Sequence, residues 1–155
     1  MRKHSTQVRE ANLLDLLPLA ILSELYVSEV ETMNLHPFCP ETLMRNMAAS
    51  ILSPDAFVSV LTNEAGEIVG SIWGVLTSHP WSSAVFAQDV ALFVHPDYRD
   101  GSGLKLIRAW VKWSKDKGAK EVYLSTASGI HTEKFIKLTE RLGFQSAGYI
   151  SRKEV

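Results

Sequence analysis

Three apolar runs of strand length follow one another in the middle of the chain, and they constrain its fold more than any other feature. The runs cover residues 56–62, 68–77 and 84–94, and only short polar segments separate them. The segment "NEAGE" between the first two has the composition of a hairpin loop. Strands joined by such short connections pair antiparallel. The sequence therefore predicts an antiparallel meander at the centre of a sheet.

After Val94 the spacing of apolar residues changes from that of a strand to that of a helix. In "SGLKLIRAWVKWSKDKG", Leu104, Ile107 and Val111 fall on one helical face, and Gly118 stands where a helix would end. The remaining segments are assigned by the same periodicities. They are strands at 6–11, 120–126 and 146–152, and helices from 15 to about 31, at 40–52, and from 132 to a capping glycine at 143. This order predicts one α/β domain over residues 1–155 with a mixed sheet.

Composition argues against several classes of function. The 155 residues carry a formal net charge of −1, which is not the balance of a nucleic-acid-binding protein. The longest apolar run is interrupted by Asp15, Pro18 and Glu24 and has no small-residue cleavage site, so we expect neither a membrane span nor a signal peptide. Cys39 is the single cysteine, which excludes an internal disulfide, and the histidines lack the paired spacing of metal ligands. We expect a cytoplasmic protein without a metal ion.

The turn "VHPDYRDGSGLK" has the features of an anion-binding site. A strand end, a glycine-rich turn and an immediate helix start bring unpaired backbone N–H groups together, and the helix dipole favours negative charge there. Gly101 and Gly103 would let a pyrophosphate approach the backbone. Ser102 could cap the helix or donate its hydroxyl, and Arg99 adds positive charge. The alternative is a simple strand-to-helix corner, which favours the same residue types.

Three segments of the chain resemble the GNAT superfamily of acyl-CoA-dependent N-acyltransferases. They are "VREA…D" near the start, "LFVHPDYRDGSGLKLIRAWVKWSKDKGAKEVYL" in the middle and "KLTERLGF" near the end. The resemblance implies an α/β (α+β) fold with a mixed, mostly antiparallel sheet of about six to seven strands and about four flanking helices. It also implies that this sheet is splayed between strands 4 and 5 and that CoA enters the splay.

The resemblance assigns the glycine-rich turn to the CoA pyrophosphate. In the family, backbone amides of a Q/R-x-x-G-x-G/A pattern hold this group, and Arg99 takes its first position. The glycines of this chain stand one position earlier than in the pattern, and Ser102 and Leu104 occupy the places of the two small residues. The implied CoA-binding residues are Phe93, Val94, Arg99, Asp100, Gly101, Ser102, Gly103, Leu104, His131 and Thr132. For the last two, a helix cap formed by Ser128 or Thr132 is the alternative.

Cationic residues recur along the helix that follows the turn. Lys105, Arg108, Lys112 and Lys115 are spaced by three or four positions. We interpret this stripe as a solvated helix face. Its first two members could also reach the 3′-phosphate of CoA.

A general base for the acyl transfer is expected on the fourth strand. Strict alternation places Gln88 on the face of Val94 and Asp89 on the opposite face. Gln88 falls nearer the base position of the family, but only Asp89 can accept a proton. A β-bulge would exchange the faces, so both residues are kept as candidates. The alternative for Asp89 is a hydrogen-bonded strand residue.

A general acid is harder to assign. Many members of the family have a tyrosine four residues before the Gly-Phe pair, and this chain has Thr139 there. A threonine hydroxyl is a poor proton donor, so the CoA thiolate would leave without a protein acid or with help from Ser125 or Tyr149. The departure also supports an alternative function, an acyl-CoA-binding sensor or interaction protein with weak or no catalysis. A partner-binding protein that kept the fold without the ligand is a third reading.

The function implied by the resemblance is direct transfer of an acetyl group from acetyl-CoA to a primary amine. The acceptor, a small-molecule or peptide amine, would lie against residues of the first helix, the loop after it, the third strand and the next loop. These residues are Tyr26, Met33, His36, Phe38, Trp73 and Trp81. Core packing explains Trp73 equally well. Dimers are frequent in the family, so a homodimer is a further expectation, and neither a nucleic acid nor a membrane is expected as a partner.

Overall fold

The fold combines four α-helices with one sheet, as seen in a computed structural model that describes residues 3–30, 33–125 and 131–155. Two single 3₁₀ turns, Leu13–Asp15 and Pro96–Tyr98, precede the first and third helices. The helices are α1 Leu16–Glu29, α2 Pro40–Leu52, α3 Gly103–Asp116 and α4 Thr132–Arg141. The strands are β1 Gln7–Glu10, β2 Ala56–Thr62, β3 Ile68–Ser78 and β4 Val85–Val94.

The sheet is the antiparallel meander that the apolar runs predicted. Its strands lie in the order β1-β2-β3-β4, and each neighbouring pair is antiparallel. β3 and β4 form a long hairpin whose register runs from Gly70 opposite Val94 to Ser78 opposite Val85. The carboxyl end of β4 therefore leads directly into the glycine-rich turn and α3.

Helices cover both faces of the sheet because β2 has apolar residues on both. On one face, Val58 and Val60 of β2 pack with Leu19 of α1 and Met47 of α2. On the other face, a second cluster joins the sheet to α3. Its buried members are Phe57, Leu61, Val69, Ile72, Ala87, Leu106 and Trp110. Successive side chains of a strand point to opposite faces, which explains this division.

Trp110 of α3 lies at the centre of the second cluster and is fully buried. The helix can approach the sheet this closely because β3 has a glycine beneath the indole ring. A Cβ at Gly74 would lie 2.2 Å from Cη2 of Trp110. Any larger residue would displace the helix or the strand.

The expected sheet of six to seven strands is wrong in strand number, because the described residues form four strands. Segment 120–125, where the fifth strand was predicted, makes a single parallel bridge between Val122 and Ala87 of β4. The next hydrogen-bonding groups of the segment are taken by side chains. Asp89 accepts the Ser125 N–H at 2.9 Å, and the Trp110 indole donates to the Tyr123 carbonyl at 3.2 Å. Residue 126, the last of the predicted strand, lies outside the described residues.

The closing strand predicted at 146–152 is also not formed. These residues have no strand structure, and Tyr149 and Ile150 are 99% and 84% exposed. A strand requires a neighbour that offers unpaired backbone groups, whatever its own propensity. Segment 120–125 forms only a bridge and provides no ladder that residues 146–152 could extend.

No helix among the described residues has the length and hydropathy required to cross a membrane. Within residues 3–30, 33–125 and 131–155, no group of three or more His, Cys, Asp or Glu side chains is arranged to hold a metal ion.

Candidate functional site

A cavity of about 290 Å³ lies beside the carboxyl end of β4, and we call it the β4 cavity. Its walls come from β4, the glycine-rich turn with the start of α3, the first turns of α4, and one residue of segment 120–125. The lining residues are Leu92, Phe93, Val94, Arg99, Gly101, Gly103, Leu104, Ile107, Ser125, His131, Lys134, Phe135 and Leu138. The cavity thus occupies the place where a fifth strand would continue beside β4.

The cavity opens where segment 120–125 separates from β4. Before that point, segment 120–125 and β4 are hydrogen-bonded to each other. The Ala87 N–H donates to the Glu121 carbonyl, and the Tyr123 N–H donates to the Ala87 carbonyl. Beyond Ala87, the Ser125 N–H bonds to the side chain of Asp89 instead of the backbone. The separation corresponds to the splay expected between strands 4 and 5, although the fifth strand is reduced to one bridge.

A β-bulge decides which side chains of β4 share the face of the cavity. Trp73 lies opposite Ala91 and Gly74 lies opposite Asp89, so Val90 is an extra residue in β4. Without the bulge, Asp89 and Val94 would point to opposite faces of the sheet. The exchange of faces considered from the sequence therefore occurs, and it places Asp89 on the face of Val94.

Asp89 is a buried carboxylate at the point of separation, with 8% of its surface exposed. Its oxygens accept hydrogen bonds from Ser125 N–H at 2.9 Å and from the Gln88 amide at 3.0 Å. Burial raises the pKa of Asp89 and outweighs the lowering effect of these hydrogen bonds. Gln88 thus holds the carboxylate. Burial also raises the pKa of Tyr26 on α1, and the negative charge of Asp89 adds to this effect.

The backbone N–H groups of Leu92 and Val94 are turned toward the cavity. His95 N–H donates to the Val69 carbonyl at 2.8 Å, so by antiparallel alternation Phe93 also bonds to β3 and the residues between face the other edge. On that edge the Val94 carbonyl accepts a hydrogen bond from Arg99 at 2.9 Å. Phe93 contributes its ring to the cavity wall.

Gly101 and Gly103 form the part of the wall that fits an anion. Gly101 has a φ of 99°, which favours glycine, and a Cβ there would meet nothing within 4 Å. The N–H groups of both glycines have no hydrogen-bond partner in the part of the chain that the structure describes. They lie at the N-terminus of α3, whose dipole favours negative charge. The residues present therefore fit a pyrophosphate.

The side chains of Asp100 and Ser102, which are both predicted to bind CoA, are turned into the protein. Ser102 is fully buried, and both its N–H and its hydroxyl donate to the Asp100 carboxylate. The other Asp100 oxygen accepts from the N–H of His4 at 2.7 Å and from its ring at 3.1 Å. Burial alone would raise the pKa of Asp100, but these four hydrogen bonds hold it well below the ordinary value of 3.8. Neither residue is among those that line the cavity.

Arg99 lines the cavity with a guanidinium that is already paired. Its Nη2 lies 2.9 Å from Glu29 of α1, and its Cζ lies 5.2 Å from the centre of the Phe93 ring. These contacts connect the glycine-rich turn to α1 and β4. Lys105, which was expected on the solvated face or at a 3′-phosphate, donates to the carbonyl and hydroxyl of Thr6 beside β1.

Helix α4 supplies the wall opposite β4. His131 lines the cavity and has a left-handed backbone with φ of 46°, whereas Thr132 begins the helix behind it. The hydroxyl of Thr139 donates to the Ile136 carbonyl at 3.0 Å, and Thr139 does not line the cavity. Ser128, the alternative cap, lies outside the described residues. Of the wall residues that were not predicted, the three on α4, Lys134, Phe135 and Leu138, recur at the helical spacing that could have indicated them.

The predicted acceptor residues do not converge on one site. The negative charge of Asp89 raises the pKa of Tyr26, and the Tyr26 ring packs edge-on against Phe93 with ring centres 5.3 Å apart. Trp73 donates to the Ser50 hydroxyl at 3.0 Å and packs against the cluster that β2 forms with α1 and α2. Trp81 is 81% exposed and stacks on His79 beyond the far end of β3. Met33, His36 and Phe38 lie between α1 and α2.

Comparisons with solved structures agree with this geometry. The fold matches a transcriptional regulator from Bacillus halodurans C-125 with a TM-score of 0.78, 18% identity, and coverage of 97% of this chain and all of the other. It matches AAC(6')-Iy in complex with the bisubstrate analogue CoA-S-monomethyl-acetylneamine with a TM-score of 0.74, 18% identity, and coverage of 97% and 99%. An aminoglycoside acetyltransferase from an uncultured soil metagenomic sample, in complex with sisomicin, matches with a TM-score of 0.70, 20% identity and coverage of 97% of each chain.

Comparison with curated protein sequences finds no significant match. The sequence model of the acetyltransferase (GNAT) family, however, matches residues 21–144. This range includes most of α1, all of α2 to α4, the glycine-rich turn and all residues of the β4 cavity. The chain is thus a member of the GNAT acetyltransferase family.

Proposed function

We propose that this protein transfers an acetyl group from acetyl-CoA to a primary amine by direct attack of the amine on the thioester. The observation that carries the proposal is the β4 cavity: among the described residues, the N–H groups of its wall residues Gly101 and Gly103 are unpaired, and its wall residue Ser125 donates its N–H to the buried carboxylate of Asp89. An anion-binding group and a base are the two functions that such a transfer requires from the protein.

The CoA pyrophosphate would bind to the N–H groups of Gly101 and Gly103. Both glycines lack the side chain that would hold a phosphate away from the backbone, and the helix dipole adds a favourable field. Arg99 contributes less charge than its position in the sequence implies, because Glu29 pairs with it. Lys134 is a further cation of the wall. The apolar side chains between α4 and β4 suit a pantetheine arm.

The acyl transfer itself would take place at the edge of β4. An N–H group of Leu92 or Val94 would polarise the thioester carbonyl, and the amine nitrogen would form a bond to the carbonyl carbon. Asp89 would accept a proton from the attacking amine, directly or through water, and its raised pKa improves it as a base. The C–S bond then breaks, and the CoA thiolate takes a proton from solvent, since the Thr139 hydroxyl is bonded within α4.

A small-molecule amine is the acceptor class that we propose. Two neighbours in fold are aminoglycoside acetyltransferases, one in complex with sisomicin and the other with an acetylneamine bisubstrate analogue. In this chain, Asp89 and the Tyr26 phenol provide a negative charge and a polar group for an amine close to β4.

Calorimetric titration with acetyl-CoA and with dephospho-CoA tests the CoA site. We expect micromolar binding that Gly101→Glu abolishes, because the new carboxylate would occupy the pyrophosphate position. Gly118→Glu is the matched control, since Gly118 also has positive φ and open space at its Cβ but lies at the other end of α3. Equal affinity of the two variants would contradict the proposed site. Weaker binding of dephospho-CoA would identify a contact with the 3′-phosphate.

An acyl-CoA-binding protein with little catalysis is the second candidate function. The observation that favours it is the position of Thr139, which offers no proton donor to the cavity. Measurement of thiol release from acetyl-CoA with a broad panel of amines separates the two candidates. Release above the background hydrolysis supports the enzyme, whereas tight CoA binding without release supports the binding protein.

A further inference from the structure

Two hydrogen bonds of a parallel ladder between β4 and segment 120–125 are absent where the β4 cavity begins, and hydrogen bonds to side chains are found instead. Ala87 is bonded to Glu121 and Tyr123, which is the regular parallel pattern. The next pair in that pattern would join Asp89 N–H to the Tyr123 carbonyl and Ser125 N–H to the Asp89 carbonyl. Neither of these two hydrogen bonds is formed. The ladder stops after one bridge, and the cavity begins there.

Each acceptor that the ladder would use is occupied by another donor. The Trp110 indole N–H donates to the Tyr123 carbonyl at 3.2 Å, and the Gln88 amide donates to the Asp89 carbonyl at 3.3 Å. The Ser125 N–H, in turn, is bonded to the Asp89 carboxylate. Gln88 belongs to β4 and Ser125 to the segment beside it. Trp110, in contrast, belongs to α3, the helical layer that covers the sheet, and its indole reaches the sheet edge from there.

We propose that Trp110 is a positioning residue of the acyl-CoA site, and that its indole N–H keeps segment 120–125 apart from β4 so that a pantetheine arm can enter. The residue touches neither of the proposed reacting groups. It acts by holding the Tyr123 carbonyl turned toward α3, away from the Asp89 N–H that the ladder would pair with it. The inference rests on the proposed binding of CoA in the β4 cavity.

The surroundings of Trp110 fix the indole in this orientation. The ring is fully buried, lies 5.7 Å from Phe57 and stacks on Trp113 at 5.5 Å. Gly74 of β3 leaves the space into which it projects. A rigid donor is required here, because a side chain that could rotate away would let the ladder add its next hydrogen bond.

Trp110→Phe tests the proposal, because phenylalanine keeps a buried ring and removes the N–H. Trp113→Phe is the control: it makes the same change one helical turn away, and its indole has no hydrogen bond in the part of the chain described here. We expect Trp110→Phe to bind CoA about tenfold more weakly, the effect of one net hydrogen bond, and Trp113→Phe to bind it normally. Adenosine 3′-phosphate 5′-diphosphate, which lacks the pantetheine arm, should bind equally to both variants.

Amide hydrogen exchange gives a readout that a merely structural role of Trp110 would not produce. In Trp110→Phe the Asp89 amide should become more protected, because it gains the Tyr123 carbonyl. An unchanged Asp89 amide, or equal CoA affinity of the two variants, would overturn the inference. A wild-type protein that binds neither ligand would overturn the proposed function instead. If Trp110→Phe does not fold, hydrogen exchange of the Trp110 indole N–H is measured in the wild type. We expect this N–H to be protected. Exchange at the rate of an exposed indole would contradict the hydrogen bond to Tyr123 and overturn the inference.

Discussion

Asp89 has one structural contact and one proposed catalytic function in the same side chain. Its carboxylate holds the Ser125 N–H at the point where segment 120–125 separates from β4, and burial raises its pKa, which suits the general base that we propose. The contact and the function can be separated by substitution, since an asparagine oxygen still accepts the Ser125 hydrogen bond but an amide does not accept a proton.

Asp89→Asn should therefore retain CoA binding and lose acyl transfer. We expect kcat to fall by about a hundredfold or more, the usual contribution of a general base. Steady-state kinetics with an active amine and calorimetry with CoA measure the two effects. Gln88→Leu is a useful control, because it removes a hydrogen bond to Asp89 and keeps the carboxylate. Near-normal kcat in Asp89→Asn would exclude Asp89 as the base.

The stability of the protein should also depend on Asp89 in a pH-dependent way. Because burial raises the folded-state pKa of Asp89 above the ordinary 3.8, the folded protein binds this proton more tightly than the unfolded chain. The contribution to stability is complete below pH 3.8 and is lost as the pH rises through the folded-state pKa. Urea unfolding from below pH 3.8 to neutral pH should show that the stability of Asp89→Asn does not fall with rising pH as that of the wild type does. At neutral pH this variant should therefore be more stable than the wild type. Parallel pH profiles of the two proteins would contradict the raised pKa.

At the scale of elements, the glycine-rich turn is held from within by Asp100. The carboxylate connects Ser102, in the turn, to His4, before β1, and the ring of His4 packs on Tyr98 at 4.5 Å. These contacts fix the backbone on either side of Gly101 and Gly103. The turn is therefore arranged before any ligand binds, which lowers the entropic cost of binding.

Asp100→Asn should destabilise the protein and weaken CoA binding. One Asp100 oxygen accepts hydrogen bonds from Ser102 and the other accepts them from His4, and an NH₂ group in place of either oxygen cannot accept them. We expect a loss of about 1–3 kcal/mol in the free energy of unfolding at neutral pH. Since the folded-state pKa of Asp100 is lowered, its stabilisation is present above pH 3.8 and disappears as the pH falls below that value. The difference between variant and wild type should thus shrink in acid. Asp97→Asn, with a carboxylate 80% exposed in the same turn, should change neither quantity.

At the scale of the whole molecule, the fold brings the residues of the proposed acyl-transfer site to one strand edge. The glycine-rich turn follows the carboxyl end of β4, and Asp89 lies further back on the same strand, where segment 120–125 separates from it. A covalent acyl-enzyme is not required when both substrates bind together. Cys39, the exposed cysteine at the start of α2, does not line the β4 cavity.

Kinetics should accordingly show a ternary complex. Double-reciprocal plots with acetyl-CoA and an active amine are expected to intersect, and Cys39→Ser should retain full activity. Parallel lines, or acetylation of the protein by acetyl-CoA alone at the rate of turnover, would indicate a covalent intermediate and contradict direct transfer.

The sequence by itself determined the meander, the helices and the glycine-rich turn. β2 has the predicted bounds, β3 and β4 differ from the predicted runs by one residue, and α2 spans the predicted 40–52. Periodicity and turn composition are local properties, so short segments encode them. The positions of Gly101 and Gly103 follow for the same reason, because a strand, a turn and a helix in succession fix where the first N–H groups point.

Only the tertiary structure decided where the sheet ends and which turn residues face the cavity. The hydrogen bond of Asp89 joins residues 36 positions apart, and that of His4 with Asp100 joins residues 96 positions apart. The sequence does not show that Ser102 and Asp100 turn inward, that Lys105 is bound to Thr6, or that side chains replace the fifth strand. These outcomes depend on competition between distant donors for the same acceptors. Such competition is resolved only when the layers pack together.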